Sequence, residues 1–183
     1  EEVALRRTES LTDTLTGVPN RRAFDQKLAQ LFEENRPIGL IMIDIDHFKA
    51  INDQHGHGFG DQVLRLIASV IGANVRDGDL VSRIGGEEFA LVMDGAGESE
   101  ALIVAEKVRK AIAARKIVKR GSGSVMAKVS ISVGIATRRV DDDPQSLLDR
   151  ADAGLYRAKE QGRNCVVVGT RKRSGATVAL AME

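Results

Sequence analysis

Apolar residues recur at helical spacing in four segments of the chain. The first segment follows turn residues 16–20, and the second begins at Asp61, whose side chain suits a helix N-cap. Asp143 and Pro144 suit the cap and first residue of the fourth. The apolar positions of the four predicted helices are Phe24, Leu28, Leu31 and Phe32; Val63, Leu64, Ile67, Val70 and Ile71; Ala101, Ala105, Val108 and Ile112; and Leu148, Ala151, Leu155 and Ala158.

Shorter apolar runs predict strands between these helices. Residues 38–43 form an almost unbroken run ending at Asp44, which is typical of a strand buried on both faces. The other strand-like runs are 80–84, 89–93, 125–136 and 164–168. Gly85 and Gly86 separate the first two of these, and the dipeptide favours a β-hairpin with a tight turn at positive φ.

This mixture of a hairpin and helix-linked strands predicts an α+β fold, with helices covering a mixed, mainly antiparallel central sheet. We expect a catalytic domain at 13–168, a linker helix from an upstream module at 1–12, and a disordered tail at 169–183. A frayed terminus explains the first segment equally well. The glycine-rich segment 121–124 lacks the Lys-Ser/Thr of a P-loop, so we interpret it as a hairpin connection.

Composition limits the kinds of molecule that the protein is expected to bind and the compartment in which we expect it. The 27 basic residues nearly balance the 26 acidic ones, so the net charge of +1 indicates neither DNA nor an acidic membrane surface. Aromatic residues make up only 3%, which argues against a base-stacking platform. The single cysteine, Cys165, excludes an internal disulfide, and no apolar stretch reaches the roughly 20 residues of a membrane helix. We therefore predict a cytoplasmic domain without DNA or membrane contact.

Acidic residues beside the predicted strand ends are the candidate chemistry. Asp44 and Asp46 follow the buried strand, and Glu87 and Glu88 follow the hairpin glycines. Carboxylates at adjoining strand ends suit magnesium, which takes one or two of them together with phosphate and water oxygens. Two such ions activate an attacking hydroxyl and stabilise a leaving pyrophosphate. Taken alone, however, a solvated acidic loop and a plain hairpin turn are the better explanations of these residues.

Four sequence blocks, taken together, are far more specific. They are Asp13-Thr14-Leu15-Thr16-Gly17 with Pro19-Asn20-Arg21-Arg22; Asp44-Ile45-Asp46-His47-Phe48-Lys49 with Asn52-Asp53, Gly56-His57 and Gly60-Asp61; Arg83-Ile84-Gly85-Gly86-Glu87-Glu88-Phe89; and Tyr156-Arg157-Ala158-Lys159 with Gly162-Arg163-Asn164. This ensemble resembles the GGDEF family of diguanylate cyclases, in its variant with Glu at the third signature position, over roughly residues 11–168. Ile84 departs from the aromatic residue that relatives commonly carry.

The resemblance implies a reaction and roles for individual residues. Members of the family condense two GTP molecules into cyclic di-GMP with two Mg²⁺ or Mn²⁺ ions per active site. The implied metal ligands are Asp44, the carbonyl of Ile45 and Glu87. The implied catalytic residues are Glu87, Lys49 and Glu88. The implied substrate-binding residues are Asn52, His57, Asp61, Gly85, Gly86, Lys159 and Arg163.

Several of these residues have plainer explanations. The Asp61 carboxylate can accept hydrogen bonds from N1–H and the 2-amino group of guanine, which adenine lacks, but an N-cap role explains Asp61 as well. Lys49 and His57 also fit ordinary surface positions. Lys159 and Arg163 also suit compensation of a helix dipole.

The resemblance further implies regulation and assembly. Arg76 and Asp79 form the Arg-x-x-Asp pattern of an inhibitory cyclic di-GMP site, with Arg109 as its implied third member. Catalysis across a homodimer and an upstream sensory or receiver domain are also implied. Two alternatives remain, a degenerate domain that binds cyclic di-GMP without making it and a cyclase with an adenine-containing product. Intact Asp44 and Glu87 argue against the first, and Asp61 argues against the second.

Overall fold

A five-stranded sheet lies at the centre of the described residues in the computed structural model, which cover 10–118 and 125–170. The strands in these segments are β1 Ile38–Ile45, β2 Leu80–Arg83, β3 Glu88–Asp94, β4 Lys116–Val118, β5 Val125–Lys128, β6 Ile131–Thr137 and β7 Val166–Val168. The central sheet has the order β2-β3-β1-β6-β7. Only the pairing of β6 with β7 is parallel, which confirms the predicted mixed, mainly antiparallel sheet.

Helices cover both faces of this sheet. Those in the described segments are α1 Arg21–Glu33, α2 Phe48–His55, α3 His57–Ala73, α4 Glu98–Ala113 and α5 Pro144–Glu160. Successive side chains of a strand point to opposite faces. Ile41 and Ile43 of β1 accordingly pack with α3 and α4, whereas Leu40 and Met42 pack with α1 and α5. None of these helices has the length and apolar character needed to cross a membrane.

Two predicted helix starts are confirmed at their caps. The Asn20 side chain accepts a hydrogen bond from the Ala23 N–H at 3.1 Å and begins α1. The Asp143 side chain accepts from the Ser146 N–H at 2.7 Å and begins α5, with Pro144 as the first helical residue. Both caps satisfy backbone donors that a helix leaves unpaired.

The prediction that a helix starts at Asp61 is wrong, and so is the prediction of a polar loop before it. The loop contains α2, which buries only Phe48 and Ile51, too few apolar positions to show a helical period. The next helix, α3, begins at His57 after Gly56 as N-cap. Asp61 therefore lies in the second turn of α3, and the N-cap explanation for this residue is excluded.

The hairpin of β2 and β3 is confirmed, but its tight turn at positive φ is not. Residues 84–87 connect the two strands, and neither Gly85 nor Gly86 has a positive φ. A Cβ added at Gly85 would lie 2.6 Å from Oε2 of Glu88. Glycine at position 85 thus makes room for the Glu88 carboxylate, whereas Gly86 faces open space.

The single strand predicted at 125–136 divides into two. β5 pairs with β4, which the sequence did not predict, while β6 joins the central sheet between β1 and β7. The two strands separate at residues 129–130, where the backbone N–H of Asp46 donates to the Ser130 carbonyl. The hairpin connection predicted at 121–124 lies outside the described residues.

The predicted domain boundaries stay predictions, because most of the flanking segments, residues 1–9 and 171–183, lie outside the described residues. Residues 10–12 of the predicted linker helix are described and are not helical. Their backbone pairs instead with the turn before α1, since Thr12 bridges to Pro19 and the Asn20 N–H donates to the Leu11 carbonyl.

Candidate active site

The two predicted groups of acids meet at one end of the central sheet. β1 and β3 are antiparallel neighbours, and their register places Asp44 opposite Glu88. One residue further, the Ile45 N–H donates to the Glu87 carbonyl at 3.2 Å. Asp44, the Ile45 backbone and Glu87 are therefore brought together from positions more than forty residues apart.

Burial and like charge raise the pKa of both Asp44 and Glu87. For Asp44, burial is the main cause, and the Lys159 ammonium, 3.0 Å from Oδ2, offsets it only in part. For Glu87, burial comes first and the charge of Asp44 second. Glu88 adds further repulsion to both. Lys159 thus offsets the repulsion among these carboxyl groups only in part, and this arrangement favours binding of an additional cation.

The donors at this end of the sheet suit a divalent cation that is completed by other oxygen ligands. Two carboxylates and a backbone carbonyl are hard donors of the kind that Mg²⁺ prefers. Within 10–118 and 125–170, no three His, Cys, Asp or Glu side chains form a metal cluster by themselves. A cation held by Asp44, Glu87 and the Ile45 carbonyl would therefore need phosphate or water oxygens, as Mg²⁺ in nucleotide enzymes does.

The side chain of Asn52, in α2, lies against α3 and contains a hydrogen-bond acceptor without a donor. Its Oδ1 is buried and has no hydrogen-bond partner among the described residues. Gly60 makes room for this amide, because a Cβ there would lie 1.9 Å from Oδ1. An unsatisfied buried acceptor costs about 1–3 kcal/mol, which a ligand donor would offset. Asp61 follows Gly60 and is half-buried, while His57 is exposed at the start of α3.

Three basic residues predicted for the site differ in their surroundings. Lys159 reaches back to Asp44, and this contact favours a site role over compensation of the α5 dipole. Lys49 is exposed on α2, two residues after His47, which begins that helix at a φ of 55°. Arg163 is exposed in the turn after α5, where its φ is 65°.

Arg76 and Asp79 form a separate site before β2. Their side chains pair at 3.2 Å, and the Asp79 side chain is only 1% exposed. Arg76 also donates to the Asp94 carbonyl at 2.8 Å. Both residues line a cavity of about 370 Å³, to which α4 contributes Lys107 among others. The larger cavity, about 920 Å³, runs along α5 and includes none of the predicted site residues.

Arg109 is not brought to the Arg76 cavity. Its guanidinium contacts Glu106 at 2.8 Å and the Asn164 side chain at 2.9 Å. Lys107, two residues earlier on α4, is the basic residue of that helix that lines the cavity. The sequence analysis named only Arg109, because helical spacing alone could not tell which basic residue of α4 faces Arg76.

Asp46 is not grouped with Asp44 and Glu87 as a candidate metal ligand. Its carboxylate, only 5% exposed, accepts hydrogen bonds from Ser132 Oγ at 2.6 Å, Ser130 Oγ at 2.7 Å and the Asn164 N–H at 3.0 Å. These donors come from β6, the residue before it and the turn after α5. The role of Asp46 was not visible in the sequence, where it stood beside Asp44 as a similar acid.

Comparison with known proteins agrees with this geometry. Residues 10–165 match the family model described as "Diguanylate cyclase, GGDEF domain". The chain is 42% identical over 167 residues to diguanylate cyclase VdcA of Vibrio cholerae, covering 91% of this chain and 49% of VdcA. It is 42% identical over 163 residues to the response regulator PleD of Caulobacter vibrioides, covering 86% and 36%. The chain thus spans half or less of these relatives.

Solved structures give the same result. The GGDEF domain of DgcB from Caulobacter crescentus, in complex with c-di-GMP, matches with a TM-score of 0.83 and 38% identity. The alignment covers 88% of this chain and 97% of that domain. The active GGEEF domain of a diguanylate cyclase from Vibrio cholerae matches with a TM-score of 0.75 and 29% identity, covering 89% and 100%.

Proposed function

Because the chain belongs to the GGDEF domain family of diguanylate cyclases, we propose that it condenses two GTP molecules into cyclic di-GMP and two pyrophosphates. The observation that carries this proposal is the convergence of Asp44 and Glu87 at one end of the sheet. Each supplies an acid that a degenerate binding domain would not need. The relatives named as cyclases share most of this chain, which supports the same reaction here.

Asp44, Glu87 and the Ile45 carbonyl are the proposed holders of Mg²⁺ or Mn²⁺. Two bound ions would supply activation of the ribose 3′-hydroxyl and stabilisation of the leaving pyrophosphate. Glu87 is also proposed to accept the proton of that hydroxyl, as a carboxylate within hydrogen-bond reach of it can. Glu88 lies opposite Asp44 and supports this arrangement of charges.

The basic residues near the acids are proposed to bind the triphosphate. Lys159 contacts Asp44, so its ammonium lies beside the proposed metal ligands, where it would attract phosphate oxygens. Lys49 and Arg163 are exposed, and their charges would stabilise the phosphate oxygens as negative charge develops. Gly85 and Gly86 in the hairpin loop allow phosphate to approach the backbone.

Guanine is proposed to bind at the junction of α2 and α3. The unsatisfied Oδ1 of Asn52 is an acceptor for a base donor. Asp61, which does not serve as a helix cap, accepts from N1–H and the 2-amino group of guanine. His57 borders this place from the exposed start of α3. A site built to hydrogen-bond donors rejects a base that lacks them, so we expect GTP to be preferred over ATP.

Two subunits are proposed to face each other, each with one GTP, so that each 3′-hydroxyl attacks the α-phosphorus of the other nucleotide. An upstream sensory or receiver domain would control this encounter. Arg76 and Asp79 are proposed to bind cyclic di-GMP as an inhibitor, and their cavity places Lys107 rather than Arg109 beside them. DgcB was crystallised with c-di-GMP, which supports binding of the product by this fold.

Product analysis tests this function directly. The purified chain is incubated with Mg²⁺ and GTP, ATP or both, and products are separated by chromatography. We expect cyclic di-GMP from GTP alone, and a loss on the order of 10²–10⁴-fold in Glu87→Gln. The matched control Arg76→Ala should keep turnover but lose inhibition by added cyclic di-GMP. Unchanged activity in Glu87→Gln, or an adenine-containing product, would contradict the proposal.

A further inference from the structure

The turn after α5 has an unusual backbone. Gly162, Arg163 and Asn164 have φ values of 107°, 65° and 44°, so three consecutive residues are left-handed. Glycine adopts such angles freely and asparagine tolerates them, but the side chain of Arg163 makes them sterically unfavourable. A turn of this kind persists only when contacts with the rest of the fold hold it in place.

A buried carboxylate provides the first of these contacts. The Asn164 N–H donates to Oδ2 of Asp46 at 3.0 Å. Ser130 and Ser132 donate to the same carboxylate, so its orientation is set from two sides. Asp46 comes two residues after Asp44, and this bond therefore ties the turn to the end of the strand that carries the proposed metal ligands.

An arginine on α4 provides the second contact. Arg109 Nη1 donates to the Asn164 side-chain oxygen at 2.9 Å and to the Asn164 carbonyl at 3.3 Å. Glu106, one turn earlier on α4, accepts from the same guanidinium at 2.8 Å and holds it there. The N–H of Asn164 thus donates to Asp46, and both of its oxygens accept hydrogen bonds from Arg109.

We propose that Asp46, together with Arg109, is a positioning residue that fixes the turn of residues 162–164 and thereby aims Arg163 at the nucleotide phosphates. The guanidinium of Arg163 is exposed and has no partner within 10–118 and 125–170, so only its backbone determines where it can reach. Its direction matters because bidentate contacts to phosphate demand a defined approach. That Arg163 binds nucleotide phosphates rests on the proposed function. That Asp46 and Arg109 fix the turn rests only on the hydrogen bonds described above.

Amide hydrogen exchange tests the fixing of the turn without any substrate. In Asp46→Asn, the charge that accepts from Asn164 is lost, and we expect exchange at residues 162–165 to be faster on the order of tenfold. Asp142→Asn is the matched control, since it also neutralises a hydrogen-bonded carboxylate with a buried side chain, here one paired with Arg150, but lies just before α5. Exchange at 162–165 that is unchanged in Asp46→Asn, or equally fast in the control, would overturn the proposal.

A double-mutant cycle tests the link to Arg163. We expect Asp46→Asn to raise the KM for GTP about tenfold with a smaller change in kcat, and to add almost nothing in an Arg163→Ala background. Independent, additive effects would refute the positioning role. If Asp46→Asn does not fold, Arg109→Gln loosens the same turn from α4 and takes its place in both experiments. A wild-type chain without cyclase activity would defeat the proposed function, and the exchange experiment would still decide whether Asp46 fixes the turn.

Discussion

At the scale of single residues, the charge of Glu87 is costly to the fold. Burial and the nearby Asp44 raise its pKa, so the folded chain holds the proton more tightly than the unfolded chain. Ionisation therefore lowers stability as the pH rises from the ordinary glutamate range near 4.5 through the raised value. The same charge would be needed to hold a cation, which is a common conflict between stability and function.

Glu87→Gln should accordingly raise the melting temperature of the metal-free protein at pH 8, even though we expect it to lose most of its turnover. Thermal unfolding in the presence of a chelator measures this. The gain should disappear once the pH is below the ordinary glutamate value of 4.5, because both states of the wild type then carry the proton. A lower melting temperature for Glu87→Gln across this range would show that Glu87 is stabilised by its surroundings, contrary to the direction of its pKa.

Residue types alone could identify the acids of the site but not separate their roles. Asp44 and Asp46 are the same residue type two positions apart, yet one faces Glu87 and Lys159 while the other is enclosed by two serines. The difference depends on β6, which is more than eighty residues away along the chain. No local pattern carries this information, because it arises from strand pairing.

At the scale of elements, α5 packs closely against the sheet because glycine leaves room for its backbone. A Cβ added at Gly134 of β6 would lie 2.1 Å from the Ala151 carbonyl oxygen and 2.2 Å from the Leu155 nitrogen. Both are backbone atoms of α5, which cannot move aside as a flexible side chain can. The close approach also sets the position of Lys159, one turn further along the same helix, relative to Asp44.

Gly134→Ala should therefore destabilise the domain by about 3 kcal/mol or more, comparable to severe overpacking of a core. Gly72→Ala is the matched control, because Gly72 lies in α3 with no atom within 4 Å of an added Cβ. There alanine should stabilise by about 0.5–1 kcal/mol through its higher helix propensity. Urea unfolding of both variants measures the difference. Equal stability of the two would mean that the contact between β6 and α5 can relax.

Elements with a complete apolar period were predictable, and those without one were not. α1 and α5 carry both a period and a capping side chain, so their starts were correct. α2 has neither, since it buries two apolar residues and begins at left-handed His47 without a side-chain cap. The division of 125–136 into β5 and β6 was not predictable either. The alternation of apolar and polar residues continues across the point where the two strands separate, and the two strands differ only in the sheet to which each belongs.

At the scale of the whole molecule, β2 connects the two proposed ligand sites. Arg76 and Asp79 precede this edge strand, and the loop at Gly85 follows it. A strand of four residues spans about 13 Å, so cyclic di-GMP at the Arg76 cavity would not overlap the proposed metal ligands. The proposed inhibition by product would then act at a distance, through the sheet edge or through contacts between subunits.

The proposed reaction also needs two chains, because each proposed active site would hold one GTP and the second 3′-hydroxyl would come from a neighbour. We therefore expect the specific activity of the isolated chain to rise with protein concentration while most of it is monomeric. Initial rates of cyclic di-GMP formation over a hundredfold range of concentration, with sizes from light scattering, measure this. Fusion of a dimeric coiled coil to the N-terminus should raise activity at low concentration and remove the dependence, since linkage raises the effective concentration to about the millimolar range. A constant specific activity in a chain that stays monomeric would require both nucleotides to bind one subunit, and would contradict the face-to-face arrangement.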